Sequence, residues 1–425
     1  GNTDNSVHFA GRGLVKRGEA AGFAVKNVTD AHQQYWMQGG AFQSLYPLGS
    51  DRWVLLGETF QDLSGLTSVP LISQQHIGVT RFRDVEVLSD WNPSNRHVTL
   101  DYNRIDLGTH IPALAKDPVS DLIVTAWNRG LAHAGEGMTA IRYSVELADG
   151  THTDVADLMA TPSAPNGQSI SSLSVIDGAL YLVYGKNTDG ADGWDIYWRT
   201  VSINSTTGVA TLGTEIDLGI GSDILSFSPI LTLTGGRLVI PYHKTANTGS
   251  YIGYSDDTGS TWTEVQVSST SGDNEGTIIE ESDGAIGCYL RTSSFVAYYV
   301  RCDDPISAIG TWAARVAVNS IPNPTGGAFT GARMQVTKLA DGKILLIGND
   351  HKTTRRNVTI WELGDNAQVL GKYKLPDWNP IETTKGVAVH QYPTILGDGE
   401  DVVVASSRQP SGGVELSIAI QRDRI

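Results

Sequence analysis

The sequence predicts an all-β chain folded as a β-propeller, most simply with seven blades. Three observations predict it: a strand–turn–strand unit that recurs seven times, a composition poor in helix-forming tracts, and a turn of fixed pattern, SDDTGSTW, at Ser255–Trp262 between two β-like runs.

The recurring unit is an apolar alternating stretch, a turn containing Asp or Gly, a strongly β-branched stretch, a longer loop and a third strand. Its seven openings are AFQSLYPL with RWVLLGET from Ala41, HIPALAKD with DLIVTAWN from His110, SISSLSVI with ALYLVYGK from Ser169, and FSPILTLT with RLVIPYHK from Phe227. The series continues with EGTIIEES and AIGCYLRT from Glu275, RMQVTKLA and KILLIGND from Arg333, and HQYPTILG and DVVVASSR from His390. Successive openings lie about 58 residues apart, the size of a four-stranded blade with one long loop, and seven such units account for the chain. Isolated four-stranded sheets cannot cover both faces, whereas radial packing does. The last unit shows three strands and ends at ELSIAIQR, so an N-terminal strand, GFAVKN or HFAGRGLV, is expected to complete it. The expected organisation is one propeller domain over residues 1–425, with no linker to a second. A six-bladed ring with an N-terminal strand-rich extension is the alternative.

The chain has 425 residues with 47 Gly, 10 Trp and 18% charged residues, enough for a large core without long helices. A formal net charge of −15 argues against nucleic acid and against anionic membrane surfaces as partners. No apolar run reaches the roughly 18 residues a spanning helix needs. The beginning, GNTDNSVHF, lacks the pattern of a signal peptide, as in a processed chain, and the expected location is secreted, periplasmic or extracellular. Cys288 and Cys302 flank a hairpin turn, where either a cross-strand disulfide or two buried thiols fits. No Cys/His spacing suits a metal, and no cofactor is expected.

In the turn itself, Asp257 can accept hydrogen bonds from backbone N–H groups, Gly259 can take a positive φ, and Trp262 can anchor the loop on the sheet. The device is structural. Function is expected where inner-strand starts and the loops leaving the next strands converge at one mouth of the channel. Those positions are His110, Arg129, His133, Glu136, Lys186, His243, Glu275, Arg291, Arg333, Arg355, Arg356, His390, Tyr392 and Arg408. So many cations in a net acidic chain point to an anionic ligand, because like charges around a channel repel unless an anion lies among them.

SDDTGSTW matches the Asp-box of sialidases and related BNR-repeat propellers. NEGTIIEESDGAIGCYLRT resembles the sialidase blade in which a glutamate starts the inner strand and an arginine ends the next, here Glu275 and Arg291. IPNPTGGAFTGARMQVTKLADGKILLIGND followed by TTRRNVTIW is similar to the next sialidase blade, with Arg355 in the place of its arginine and Arg356 as the alternative register. HQYPTILGDGEDVVVASS resembles the final blade, whose inner strand a tyrosine opens, here Tyr392. The resemblance implies a retaining glycosidase that releases a nonulosonic acid. Arginine forks would bind the sugar carboxylate, Tyr392 would be the nucleophile and Glu275 its base, since a carboxylate nucleophile would be repelled by the substrate's own charge. Arg129, Arg333 and His243 are expected to contribute to substrate binding.

The first half of the chain departs from this pattern. His110 stands where the family's first arginine is expected, and LAHAGEG lacks the acid/base aspartate, leaving His133 and Glu136 as proton donors. His110 followed by Pro and Ala, with His133 downstream, is also similar to BNR-type seven-bladed lyases that cut ulvan and related uronate polymers. That resemblance implies a His base, a Tyr acid and an Arg that neutralises the carboxylate. A non-catalytic glycan-binding propeller is the third reading. In all three the expected partner is an anionic glycan or polysaccharide.

Overall fold

The computed structural model describes residues 108–130, 138–160, 167–187, 193–246, 248–292, 296–322, 333–350, 358–375, 389–399, 401–409 and 417–424, and strand segments at 7–10, 13–16, 34–38, 41–47, 53–59, 78–81, 97–100, 325–326 and 329–330. The chain divides into two compact units, residues 1–97 and 98–425. In the first, Val7–Ala10 pairs antiparallel with Gly13–Lys16, and Gln34–Gln38, Ala41–Pro47, Trp53–Thr59 and Gly78–Arg81 form a four-stranded antiparallel sheet.

The second unit is a ring of six blades. Blade 1 comprises Gly108–Lys116, Ile123–Gly130, Met138–Glu146 and Ala156–Met159, and blade 2 comprises Gln168–Ile176, Ala179–Asn187, Trp194–Ile203 and Ala210–Leu212. Blade 3 has an interrupted inner strand, Ile224–Leu225 and Leu231–Thr232, followed by Leu238–Lys244, Ser250–Ser255 and Thr263–Ser268. Blade 4 comprises Asn274–Glu280, Ile286–Arg291, Val296–Cys302 and Val316–Pro322, and blade 5 comprises Gln335–Lys338, Ile344–Asn349, Val358–Leu363 and Val369–Lys374. Blade 6 comprises Val389–Asp398, Asp401–Gln409 and Ser417–Arg424, and His97–Leu100 completes it beside Ser417–Arg424. A strand from before the ring thus fills the last blade, but it is neither of the two segments the sequence suggested. Residues 8–15 contribute to the separate hairpin, and 22–27 lie outside the described residues.

Sequence pattern explains the layers. Second strands such as ILLIGN at Ile344–Asn349 are buried at every position because they are covered on both faces. Farther out, Trp194–Ile203 alternates buried with more exposed residues over most of its length, as a strand with one wet face does. Asp177 and Gly178, with φ of 48° and 73°, make the two-residue turn whose twist suits a tight hairpin.

Closure is carried by six apolar clusters, one at each blade interface. Val124 and Tyr143 join Leu173 and Tyr184, Trp198 joins Ile240, Val239 joins Ile286, and Tyr289 joins Trp361. Leu345 joins Val404, and Val403, Ala405 and Ile420 join Leu114, Ile123 and Trp127. The last pairing sets blade 6 directly on blade 1, so the ring closes at six. The alternative stated for the sequence holds for residues 98–425, and the unit opening at Ala41 forms its own sheet in the first unit. Ions reinforce the seam: Lys116 pairs with Asp398 at 2.9 Å, and Arg422 pairs with Asp398 at 2.7 Å and Glu146 at 3.0 Å.

Polar side chains stitch inner strands to neighbouring blades. Asn128 donates to Ser169 Oγ at 3.0 Å and accepts the Ile170 N–H at 2.7 Å, and Ser174 Oγ accepts the Ile230 N–H at 2.9 Å. Thr277 bonds Ser228 Oγ at 3.1 Å and accepts the Val336 N–H at 3.1 Å, while Thr394 donates to Gln335. Each such bond contributes about 1 kcal/mol, but leaving its partner buried and unmade costs more.

The SDDTGSTW turn links the third and outer strands of blade 3. Ser255 Oγ and the Thr261 N–H both donate to Asp257 Oδ1 at 2.8 Å, and Thr261 Oγ1 donates to Oδ2 at 2.6 Å. Led by the Thr261 hydroxyl, these bonds hold the carboxyl down at about 2. Gly259 has φ of 87°, and a Cβ there would lie 2.1 Å from the ring of Trp198 on blade 2. The turn therefore also shapes an interface between blades.

Cys288 and Cys302 are both free and buried, and the register explains why: Cys288 faces Val300 and Cys302 faces Ile286. No helix among the described residues is long and apolar enough to cross a membrane.

Asp257→Ala should lower the thermal midpoint, because it removes the acceptor of three hydrogen bonds in the turn. The folded carboxyl lies below its unfolded value of 3.8, so its contribution is present above about pH 4 and lost as the pH falls toward 2. Melting curves at pH 7 and pH 3 for the two proteins check both points; the difference between them should shrink in acid.

Candidate active site

Three inner strands carry the same irregularity. In blade 1 the register runs His110 opposite Asn128 and then Ala113 opposite Ala126; in blade 4, Asn274 opposite Arg291 and then Thr277 opposite Tyr289; in blade 6, Gln391 opposite Ser407 and then Thr394 opposite Ala405. Each is a bulge in which two residues face one. The first bulged residue has a positive φ in all three: 53° at Ile111, 41° at Glu275 and 50° at Tyr392. A non-glycine residue held there stores about 1–3 kcal/mol of strain, which the surrounding contacts must offset. The effect is to turn side chains out of the alternating pattern. Pro112, Gly276 and Pro393 occupy the second bulged position, residues that ordinary central strands avoid.

The bulges bring blades 4 and 6 together. Tyr392 Oη donates to Glu275 Oε1 at 3.5 Å, and Arg291 Nη1 forms an ion pair with the same oxygen. All three are buried, as is His110, whose ring meets that of Tyr392 edge-on with centroids 4.4 Å apart. Burial works to lower the Arg291 guanidinium, but Glu275 and Tyr392 overcome it and hold the group above its ordinary value.

Glu275 is fixed from behind. Its backbone N–H donates to His243 Nδ1 at 3.4 Å, and the His243 ring packs against Phe227 with centroids 5.9 Å apart. As an acceptor, Nδ1 carries no proton, and burial lowers the imidazole to about 4, with Glu275 opposing and Arg291 assisting. Two residues earlier, buried Asp273 accepts from Ser268 Oγ at 2.6 Å and Arg315 Nη1 at 2.6 Å. The loop entering the bulge is thus held at both ends.

Arg333 is 1% exposed. It donates from Nη1 to the Pro112 carbonyl at 3.3 Å and from Nη2 to Gln335 Oε1 at 3.4 Å. Burial brings its guanidinium down to about 10, against the opposing pull of Glu275 and Tyr392.

The structure therefore gathers His110, His243, Glu275, Arg291, Arg333 and Tyr392. Arg129 is half-buried on the second strand of blade 1, opposite Thr109. Lys186 belongs to a separate cluster, paired with Glu215 at 2.9 Å and lying over the Tyr197 ring at 5.1 Å. His133, Glu136, Arg355 and Arg356 lie outside the described residues, and His390 and Arg408 are described only as paired strand positions. Sequence reasoning missed Asp273, Gln335 and Thr394 as supports. The proline two residues after His110 and the one after Tyr392 were the readable sign of the bulges.

A family described as a BNR repeat-like domain matches residues 141–381, more than half of the chain. The chain belongs to this family, within the sialidase and BNR β-propeller superfamily. A curated leech relative, the anhydrosialidase of Macrobdella decora, is 30% identical over 133 residues, covering 30% of this chain and 16% of that protein. Among solved structures, the Hadza microbial sialidase Hz136 superposes with a TM-score of 0.58 at 15% identity, over 75% of this chain and 66% of that one. A leech intramolecular trans-sialidase complexed with 2,7-anhydro-Neu5Ac gives 0.57 at 13% identity, over 90% and 83%. At these identities the structural likeness concerns the fold. The stretch shared with the curated relative is about a sixth of that protein's length.

Acid should weaken the fold through His243. Its ring is lowered to about 4 from an unfolded value of 6.5, so the unfolded chain takes up the proton first. The stability linked to the neutral ring is complete above about pH 6.5 and is lost as pH falls toward 4. His152, also lowered to about 4 by burial and by Arg422, adds to the same window. Urea midpoints measured from pH 7 to 4.5 should fall less steeply for His243→Gln than for the unaltered protein; equal slopes would remove His243 from this role.

Proposed function

We propose that the protein is a sialidase-like retaining glycosidase acting on an anionic glycan, with Tyr392 as nucleophile and Glu275 as its base. The observation that carries this reading is the hydrogen bond from Tyr392 Oη to Glu275 Oε1 at 3.5 Å, beside Arg291 and buried at the propeller axis. A phenol is a weak nucleophile until a base is placed on its proton, and a neutral one approaches an anomeric carbon bearing a carboxylate without repulsion.

In the proposed reaction, Arg291 and Arg355 hold the sugar carboxylate. The Tyr392 oxygen bonds to the anomeric carbon as its proton passes to Glu275, and the glycosidic C–O bond breaks. His110, His133 or Glu136 donates a proton to the departing oxygen. Water then attacks the anomeric carbon and gives a proton to the group that protonated the leaving oxygen, the bond to Tyr392 breaks, and Glu275 returns the proton to the phenol. The buried arginines and the superfamily support this substrate class, and an extracellular setting is the natural one for such a glycan.

β-Elimination on a uronate polymer is the second reading. It is favoured by the edge-on contact of His110 with Tyr392, a ready His/Tyr acid–base pair. The seven-bladed pattern that also suggested it has no counterpart in the six-bladed ring of residues 98–425.

A fluorogenic sialoside should be hydrolysed, and Tyr392→Phe or Glu275→Gln should each reduce kcat by about a hundredfold or more. NMR of the product should distinguish a free acid sugar from a 2,7-anhydro sugar. Ultraviolet absorbance of an unsaturated uronate, formed from polysaccharide with no sialoside turnover, would overturn the hydrolase in favour of the lyase. Retained glycan affinity with neither activity would favour a binding propeller.

Arg291→Ala should cost about 2–5 kcal/mol in affinity for a carboxylate-bearing sugar, the usual penalty for truncating one member of a buried charge pair. Arg291→Lys should recover part of it, and calorimetric titration reads both. Unchanged affinity in Arg291→Ala would remove this residue from the clamp.

A further inference from the structure

Arg333 is a buried cation with no acidic partner among the described residues. Its two recorded bonds go to neutral acceptors, the Pro112 carbonyl and the Gln335 amide oxygen, at 3.3 and 3.4 Å, and its Nε meets no acceptor. Burying an arginine this way is expensive unless an anion compensates it. The obvious carboxylate, Glu275, is already paired with Arg291.

The position of Arg333 is defined by the strands that present the reacting groups. Pro112 follows Ile111 in the bulge next to His110, and Gln335 also accepts from Thr394, two residues beyond Tyr392. Arg333 is thereby tied to both strands whose His110 and Tyr392 rings meet. Glu275 and Tyr392 are the groups whose ionised forms oppose the effect of burial on its guanidinium. Apart from the two imidazoles, the charged side chains of this cluster among the described residues are one carboxylate and two guanidiniums, an excess of one positive charge.

We propose that Arg333 is the built-in counter-cation of the Tyr392 phenolate, rather than a contact for the sugar carboxylate. The inference rests on Tyr392 being the nucleophile. When the phenol proton passes to Glu275, the negative charge moves from Glu275 to Tyr392. Arg333 then has its partner, and Arg291, until then shared between Glu275 and the ligand, is left with the ligand's carboxylate alone. When the glycosyl bond to Tyr392 breaks, the same cation stabilises the departing phenolate. Arg333 is a positioning residue in this scheme, acting through Tyr392.

The test is a pH titration of the Tyr392 phenol by NMR of the full chain with ring-labelled tyrosine, assigned by Tyr392→Phe and performed without substrate. Among the described residues, the groups near this phenol are Glu275, Arg291, His110 and Arg333. In the unaltered protein the midpoint should lie below the ordinary value of about 10. Arg333→Met should raise it by about 1–3 units, the effect of removing a nearby opposite charge, and Arg333→Lys should keep most of the depression. A midpoint at or above the ordinary value in the unaltered protein would overturn the proposal. So would an unmoved midpoint in folded Arg333→Met, leaving Arg333 as a strut between blades 5 and 1. Should Arg333→Met fail to fold, the unaltered protein and Arg333→Lys decide, the latter failing the proposal if it titrates at the ordinary value. A depressed midpoint without sialoside hydrolysis would sink the hydrolase reading and leave the charge pairing standing; the reverse result would do the opposite.

Discussion

A buried carboxylate must be shared among donors or it will not stay ionised, and Glu275 imposes that constraint on the whole ring. Its donors come from two blades that are not neighbours: Arg291 from the second strand of blade 4 and Tyr392 from the inner strand of blade 6. Blade 5 lies between them and contributes Arg333. The three groups can meet only if the ring is closed and the inner strands are held in register. The apolar clusters at all six interfaces and the hydroxyl stitches around the axis supply that geometry. Scaffold stability and site geometry are therefore coupled through inter-blade packing.

The bulges translate the scaffold into chemistry. A regular inner strand alternates its side chains, and two bulged residues facing one break that alternation. Glu275 and Tyr392 hold strained backbone angles at equivalent positions, and the structure pins at least Glu275 from several sides, through His243, Asp273 and Arg291. Strain concentrated where titratable side chains converge is the pattern of a site whose geometry is set before ligand arrives.

Much of this was legible in the sequence, and the exceptions have physical causes. The blades were readable because alternation and turn residues are local. So were Glu275, Arg291 and Tyr392, whose places at strand ends follow from the repeat. The number of blades in the ring was not, since the unit at Ala41 reads like the other six and closure is decided by which faces meet, here blade 6 on Trp127 of blade 1. The closing strand His97–Leu100 is a four-residue segment too short to show periodicity. Arg333 read as one more cation at the mouth; its depth and its neutral acceptors emerge only from packing. The SDDTGSTW turn made the fold most visible, yet it lies on the outer hairpin of blade 3 and says nothing about the reaction.

His110 places an imidazole edge-on against the proposed nucleophile. The account stands or falls on whether the Tyr392 oxygen becomes bonded to sugar. Incubating the protein with 2,3-difluorosialic acid, whose glycosyl–enzyme stage is slow to hydrolyse, and mapping the product by peptide mass spectrometry tests this most directly. The prediction is one glycosyl adduct, on the peptide containing Tyr392, absent from Tyr392→Phe. An adduct on another residue, or none in a protein that turns over sialosides, would contradict it.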